Sequence, residues 1–183
     1  MSTAIYVVLA IVALGLLYIG IRVVGGTYLK FRGKRVITCP ETSQPAGVDV
    51  AAGRAALSAA LGKPAVQLRD CSRWPERQNC GQECLQQLEA APEDCLVRTI
   101  LTRWYQEKSC IYCGKALGEI DWIEQRPCLL SPAGKTIEWR EVPAEEVPRA
   151  LETHKPVCWN CHIAETFRRE HPDLVTERNW KTS

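Results

Sequence analysis

Two Cys-x-x-Cys pairs constrain this chain more than any other feature. The first lies in Cys110-Ile111-Tyr112-Cys113-Gly114-Lys115 and the second in Cys158-Trp159-Asn160-Cys161-His162. Each pair holds two thiols within one turn of chain, and together they offer four sulfur ligands to one tetrahedral ion. A fold that uses all four must carry the chain around Cys158 back against the chain around Cys110. Gly114 follows the first pair, where a tight turn needs a residue that accepts positive φ. Ten of the 183 residues are cysteine, while Phe occurs twice and Met once. Metals or cross-links, more than a large apolar core, are therefore expected to order the chain.

Between the pairs, Ile120-Asp121-Trp122-Ile123 and Lys135-Thr136-Ile137-Glu138-Trp139 have strand character, with a turn at Ser131-Pro132-Ala133-Gly134. After the second pair, Ile163 to Glu170 reads as a short helix. Knuckle, hairpin and helix in that order resemble a treble-clef zinc finger, a four-cysteine module of the zinc-ribbon type, over about Lys108 to Pro172. The resemblance implies one zinc at Cys110, Cys113, Cys158 and Cys161. The interval between the pairs is longer than in compact zinc ribbons, so a hairpin insertion is required. Cys158-x-x-Cys161-His162 also matches the attachment motif of c-type haem. His162 would then be an axial ligand, and His154 or His171 the other, because Met1 is the single methionine. The histidines and Asn160 resemble the HNH nuclease version of a treble clef. That family needs a metal-binding histidine on the hairpin, and none occurs from Asp121 to Trp139, so no nuclease role is carried over.

Ala4 to Ile21 is an uncharged, mostly apolar run, and Val23-Val24 extend it. A spanning helix needs about 20 such residues. A secretory signal would have a basic start, a shorter apolar core and a small-x-small cleavage site, and the run has none of these. It is apolar on every face, unlike the helix of a soluble core. Arg22, Lys30, Arg32, Lys34 and Arg35 all precede the first acid, Glu41. By the positive-inside bias, the chain after the helix is expected in the cytoplasm, with the N-terminus outside. A single pass through a bacterial-type inner membrane is the reading, with the lipid bilayer as first partner. In a reducing cytoplasm, clustered cysteines are metal ligands or redox thiols rather than disulfides.

A second cysteine group lies in the N-terminal half. Arg35 to Thr38 is expected to be a strand ending at Cys39-Pro40, Val48 to Val50 a second strand, and Gly53 to Leu61 a helix stopped by Gly62-Lys63-Pro64. Ala65 to Arg69 alternates like a strand and leads to Cys71. Cys80 and Cys84 are spaced i and i+4. With Gln82 to Ala90 helical, both would share a face at a helix start, which favours thiolate. Cys39, Cys71, Cys80 and Cys84 form a candidate second site for zinc or an iron–sulfur cluster. Cys95 and Cys128 are read as structural or spare thiols. Cys95 to Glu107 carries Leu96, Ile100 and Trp104 at helical spacing, a core-facing stripe. Trp74, Trp104, Trp122, Trp139 and Trp159 read as packing residues.

The expected fold class is α+β: one transmembrane helix, then a small cysteine-rich, metal-stapled domain with a treble-clef-like C-terminal half. The expected divisions are an anchor and flank over 1–28, a cysteine-rich module over 29–107, the four-cysteine module over 108–172, and a loose tail over 173–183. G-x-S-x-G, H-E-x-x-H and phosphate-binding glycine loops are all missing, so hydrolytic catalysis is not supported. Beyond the early basic residues the chain is slightly acidic, which gives no reason to expect nucleic acid. The expected role is a membrane-anchored zinc protein that docks a membrane-complex partner at the cytoplasmic face. Electron transfer through an iron–sulfur cluster or haem is the alternative.

Overall fold

The computed structural model describes residues 2–76, 80–118, 120–124 and 126–174. The chain gathers into two compact units, residues 1–99 and 100–183.

The first unit begins with α1 (Ser2–Phe31), a helix of 30 residues. At 1.5 Å per residue it is about 45 Å long, more than the ~30 Å of a bilayer's hydrocarbon core. Every large apolar side chain from Ile5 to Ile21 is more than half exposed. The helix is long and apolar enough to cross a membrane. Its last turns behave differently. Phe31 is buried in the core of the first unit, and the end of α1 packs on α2 (Ala52–Ala59).

Behind that junction stands an antiparallel sheet of β1 (Lys34–Thr38), β2 (Pro45–Val50) and β3 (Leu68–Cys71), in that order. β-branched Val36 and Ile37 suit β1, and Val48 and Val50 give β2 two inward side chains at the strand's period of two. Phe31, Ile37, Val48, Val50, Leu68 and Leu88 form the core, with the small side chains of Ala52 and Ala55 letting α2 approach closely. α3 (Leu85–Ala90) closes the unit through Leu88, which is fully buried. α4 (Val97–Tyr105) follows.

Arg35 has a different place from the one its charge implies. The sequence reads it as one of five flanking basic residues, yet its side chain is completely buried. Its guanidinium donates to the carbonyls of Pro92 and Lys30. Lys30 lies in the last turn of α1, whose carbonyls have no partner within the helix. Arg35 therefore caps α1 and ties it to the chain before α4. Burial lowers its pKa, while Glu93 nearby works in the other direction.

The second unit holds a smaller antiparallel sheet in the order β5 (Thr136–Glu138), β4 (Cys128–Leu130), β6 (Lys155–Val157). α5 (Val147–Thr153) and α6 (Trp159–Glu170) flank β6 in sequence. The turn at Ser131–Gly134 forms as expected: Gly134 has φ +78°, and the Gly134 N–H donates to the Ser131 carbonyl at 2.9 Å. The strand expected at Ile120–Ile123 does not form. The Asp121 carboxylate accepts hydrogen bonds from the N–H groups of Ile123 at 2.8 Å and Glu124 at 3.0 Å. An aspartate that bonds the backbone two and three residues on favours a turn over a strand. Cys128–Leu130 takes the strand position instead and pairs with both β5 and β6. Trp104, Tyr105 and Trp139 meet edge to face, and the Trp139 Nε1–H donates to the Tyr105 hydroxyl at 2.9 Å. The tryptophans at 104 and 139 are packing residues, as expected. Pro172–Leu174 forms a short 3₁₀ turn. The rest of the expected loose tail, 175–183, lies outside the described residues.

Candidate metal centre

Cys110 and Cys113 sit on a turn built for them. The Gly114 N–H donates to the Cys110 carbonyl at 2.9 Å, and the Cys110 N–H donates to the Lys115 carbonyl at 2.9 Å. Gly114 has φ +70°, which a side chain would strain. The Ile111 N–H donates to the Pro156 carbonyl at 3.0 Å, docking the turn on β6. Cys158 is the N-cap of α6, and Cys161 lies in its first turn. The helix therefore starts earlier than expected, at Trp159 rather than Ile163.

These elements bring the two pairs together. The sulfurs of Cys110, Cys113, Cys158 and Cys161 all lie within 4.8 Å of one another, and the Cys113 and Cys158 sulfurs are 3.7 Å apart. Four sulfurs at about 2.3 Å from a zinc ion stand about 3.8 Å apart, so little movement is needed. Cys110 is buried and Cys113 is exposed, so one side of the site is open. Val157, Cys128, Leu117, Leu130 and Trp159 supply an apolar backing.

The electrostatics favour a shared cation. Burial works against the Cys110 thiolate, but the backbone N–H groups of Cys158, Cys113 and Tyr112 aimed at its sulfur prevail and lower its pKa to about 6. Burial raises Cys158, and the Cys161 N–H offsets part of that. Burial and the neighbouring thiols push Cys161 well above the ordinary thiol range. One negative charge thus forms easily, and each further one is resisted by those already present. A divalent cation removes that resistance and holds the remaining thiolates.

The other cysteines differ. Cys39, Cys71, Cys80 and Cys84 line one cavity of about 30 Å³ together with Ile37, Leu68 and Trp74. Among the described residues, the C-terminal four are the one group of metal-ligating side chains gathered to the reach of a single ion. The helix expected over Gln82–Ala90 begins only at Leu85, with Cys84 as its N-cap. Gln82 has φ +56°, outside the helical region, because its side chain and carbonyl serve the turn: they accept from the Leu68 N–H at 3.2 Å and the Leu85 N–H at 3.0 Å. The expected thiolate bias at Cys84 is also reversed. Burial, followed by the nearby sulfur of Cys80, pushes its thiol up to about 11. Cys128 is fully buried in β4, and burial and Glu138 push its thiol up to about 12. Cys95 is half-buried, with its sulfur 4.0 Å from the Gln87 carbonyl oxygen. Both occupy packing positions.

His162 is buried on α6, beside the Trp159 ring at 5.6 Å, and its Nδ1 has no hydrogen-bond partner. Sequence reasoning finds its motif but not its burial, which depends on how α6 lies against β4 and β5. No protein-family model matches the chain, and no curated protein or solved structure matches it either.

Proposed function

We propose that this chain is a single-pass membrane-anchored zinc protein, with a treble-clef module held by Cys110, Cys113, Cys158 and Cys161. The carrying observation is the four sulfurs within 4.8 Å of one another, on a turn and a helix start. The succession of cysteine turn, antiparallel hairpin and helix supports the treble-clef reading. The Cys113 sulfur, 3.7 Å from Cys158, favours one shared ion over haem, which would use Cys158 and Cys161 without Cys113. The exposed apolar length of α1 supports the anchor, and the basic residues after it support a cytoplasmic location.

The role is structural: a metal-stapled platform that docks a partner protein at the membrane. Ile111 and Tyr112 on the cysteine turn, and Ile163 and Phe167 one turn apart on α6, are each close to half exposed. Their apolar surface beside the metal site supports docking rather than chemistry. Two measurements on the full chain test the reading. Protein purified in detergent is expected to be colourless and to carry zinc; a red or brown chromophore would overturn it in favour of electron transfer. A reporter active only outside the cytoplasm, fused after Ser183, is expected to stay silent, and a strongly active fusion would overturn the orientation.

A further inference from the structure

We propose that Cys39, Cys71, Cys80 and Cys84 form a second thiolate centre, which takes one zinc-class divalent ion by closing around it. The four come from three separate places: the turn after β1, the end of β3, and the loop leading into α3. The fold nevertheless aims them at one cavity, whose other walls include Ile37, Ala46, Leu68 and Trp74. Glu41, Thr42, Arg73 and Glu83 also line it, so the four sulfurs share the cavity with polar groups. At about 30 Å³, the space admits one or two water-sized bodies, which suits an ion.

The backbone around three of these cysteines has a common design. Thr42 and the Glu41 N–H favour the Cys39 thiolate. Burial raises the Cys71 thiol, and the Arg73 N–H offsets part of that. The Gln82 N–H reaches the Cys80 sulfur at 3.4 Å. In each case the amide that favours the thiolate lies two residues on, as Tyr112 does from Cys110 in the C-terminal group. Amide donors stabilise a thiolate and have no use for an apolar packing residue. A cysteine kept only to fill space needs none of them.

The same turns are conformationally costly. Among the described residues, Ser43 and Gln82 are the non-glycine positions at positive φ, +53° and +56°. Ser43 closes the turn of Cys39, where its N–H donates to the Cys39 carbonyl at 2.8 Å. Gln82 sits between Cys80 and Cys84. Strain of this kind persists where the surroundings enforce it, and it concentrates at ligand-binding turns. Here it falls on the two turns that present thiols to the cavity. Cys95 does not line the cavity, which separates it from the group.

The site is independent of the C-terminal four, so its failure and theirs are distinguishable in one experiment. Full-length protein is purified in detergent, stripped, and reloaded with zinc. The parent is expected to retain two zinc ions per chain, Cys113→Ser one, and Cys84→Ser one. The combination of both substitutions is expected to retain none. Alkylation of the unsubstituted chain, mapped by mass spectrometry, covers the case in which Cys84→Ser fails to fold. Zinc is expected to slow modification of the partly exposed Cys39 and Cys80 at least tenfold. One zinc in the parent, or equal alkylation of Cys39 and Cys80 with and without zinc, overturns the proposal. Iron with acid-labile sulfide at these residues overturns it as well. Loss of zinc from Cys113→Ser alone, with Cys39 and Cys80 still protected, leaves this centre standing and identifies the C-terminal site separately.

Discussion

The cysteines at 110, 113, 158 and 161 and those at 39, 71, 80 and 84 offer the same ligand chemistry on different scaffolds. In the C-terminal group each pair is local, so one turn and one helix start set two sulfurs apiece. The contact from the Ile111 N–H to the Pro156 carbonyl and shared packing around Cys110 and Val157 then bring the pairs together. The sulfurs lie within 4.8 Å of one another. In the N-terminal group three separate pieces of chain must agree, and the four thiols share a cavity rather than a point. Preorganisation is the difference. A site assembled in advance keeps most of its binding free energy as affinity, whereas a site that must close gives up part of it in ordering the loops.

The largest effects are expected from breaking that contrast at its stronger end. If one ion joins both pairs, Cys113→Ser and Cys161→Ser each release it, although they lie on different elements. Structural zinc contributes on the order of 10 kcal/mol of binding free energy coupled to folding. Among the described residues, the apolar cluster beside the site buries Cys110, Cys128 and Val157, too little to replace it. Both substitutions are expected to open residues 115–155 to protease, read by limited proteolysis. Chelator titration sharpens the same contrast. The N-terminal group is expected to lose its ion at a chelator concentration at least tenfold lower than the C-terminal group. Loss in the opposite order would show that preorganisation does not set the ranking. Zinc retention in Cys113→Ser with protease resistance intact would sink the shared site.

The contrast also explains what could be read from the residues alone. A Cys-x-x-Cys spacing with glycine after it determines local geometry within a few bonds, so the C-terminal site is legible without any knowledge of the fold. The apolar run from Ala4 to Ile21 is legible for the same reason: a continuous stretch needs no tertiary context. The hairpin is less so. Ile120–Ile123 has strand-forming residues, but Asp121 recruits two backbone N–H groups and turns the chain. Cys128–Leu130 becomes a strand because partners stand on both sides of it, which its own composition does not reveal. The convergence of Cys39, Cys71, Cys80 and Cys84 on one cavity depends on β1 and β3 flanking β2, and loose spacing carries no trace of that. Arg35 misleads most. A basic residue after an apolar helix reads as a topology signal, and burial becomes visible only once the carbonyls of Lys30 and Pro92 are found around it.

A buried polar clasp in each unit, away from the candidate metal ligands, gives an intermediate prediction. In the first unit, Arg35→Met keeps the length of the side chain but leaves the Pro92 and Lys30 carbonyls without their donors. It is expected to destabilise that unit by about 3 kcal/mol, since orphaned buried acceptors cost ~1–3 kcal/mol each. In the second unit, the Tyr105 hydroxyl donates to the Cys128 carbonyl and accepts from Trp139 Nε1–H. Tyr105→Phe is expected to cost about 2 kcal/mol. Denaturant melts with and without zinc read both. If the C-terminal site is assembled by its own local turns, Tyr105→Phe lowers stability while zinc stoichiometry stays unchanged. If the N-terminal site depends on its surrounding frame, Arg35→Met weakens zinc retention at Cys39, Cys71, Cys80 and Cys84. Equal zinc loss in the two variants would erase the distinction between a preformed site and a closing one.

The smallest effect is expected at His162, and its smallness is informative. The residue directly follows Cys161, inside the motif that haem attachment also uses. In the structure its ring is buried against Trp159, and its N–H donates to the Cys158 carbonyl at 3.0 Å as part of α6. That backbone bond survives replacement by alanine, and alanine favours helix. What His162→Ala removes is side-chain packing over Trp159, worth about 1 kcal/mol at a position near the end of a small core. The four sulfurs keep their turn, their helix start and their amide donors. Zinc content is therefore expected to stay at the parent value, with only a slightly lower denaturant midpoint. A haem protein would behave in the reverse way. His162→Ala would abolish or shift a covalent red chromophore, and Cys113→Ser would leave that chromophore untouched. Paired measurement of metal content and visible absorption in these two variants thus decides between one ion held by both cysteine pairs and a cofactor held by the second pair alone.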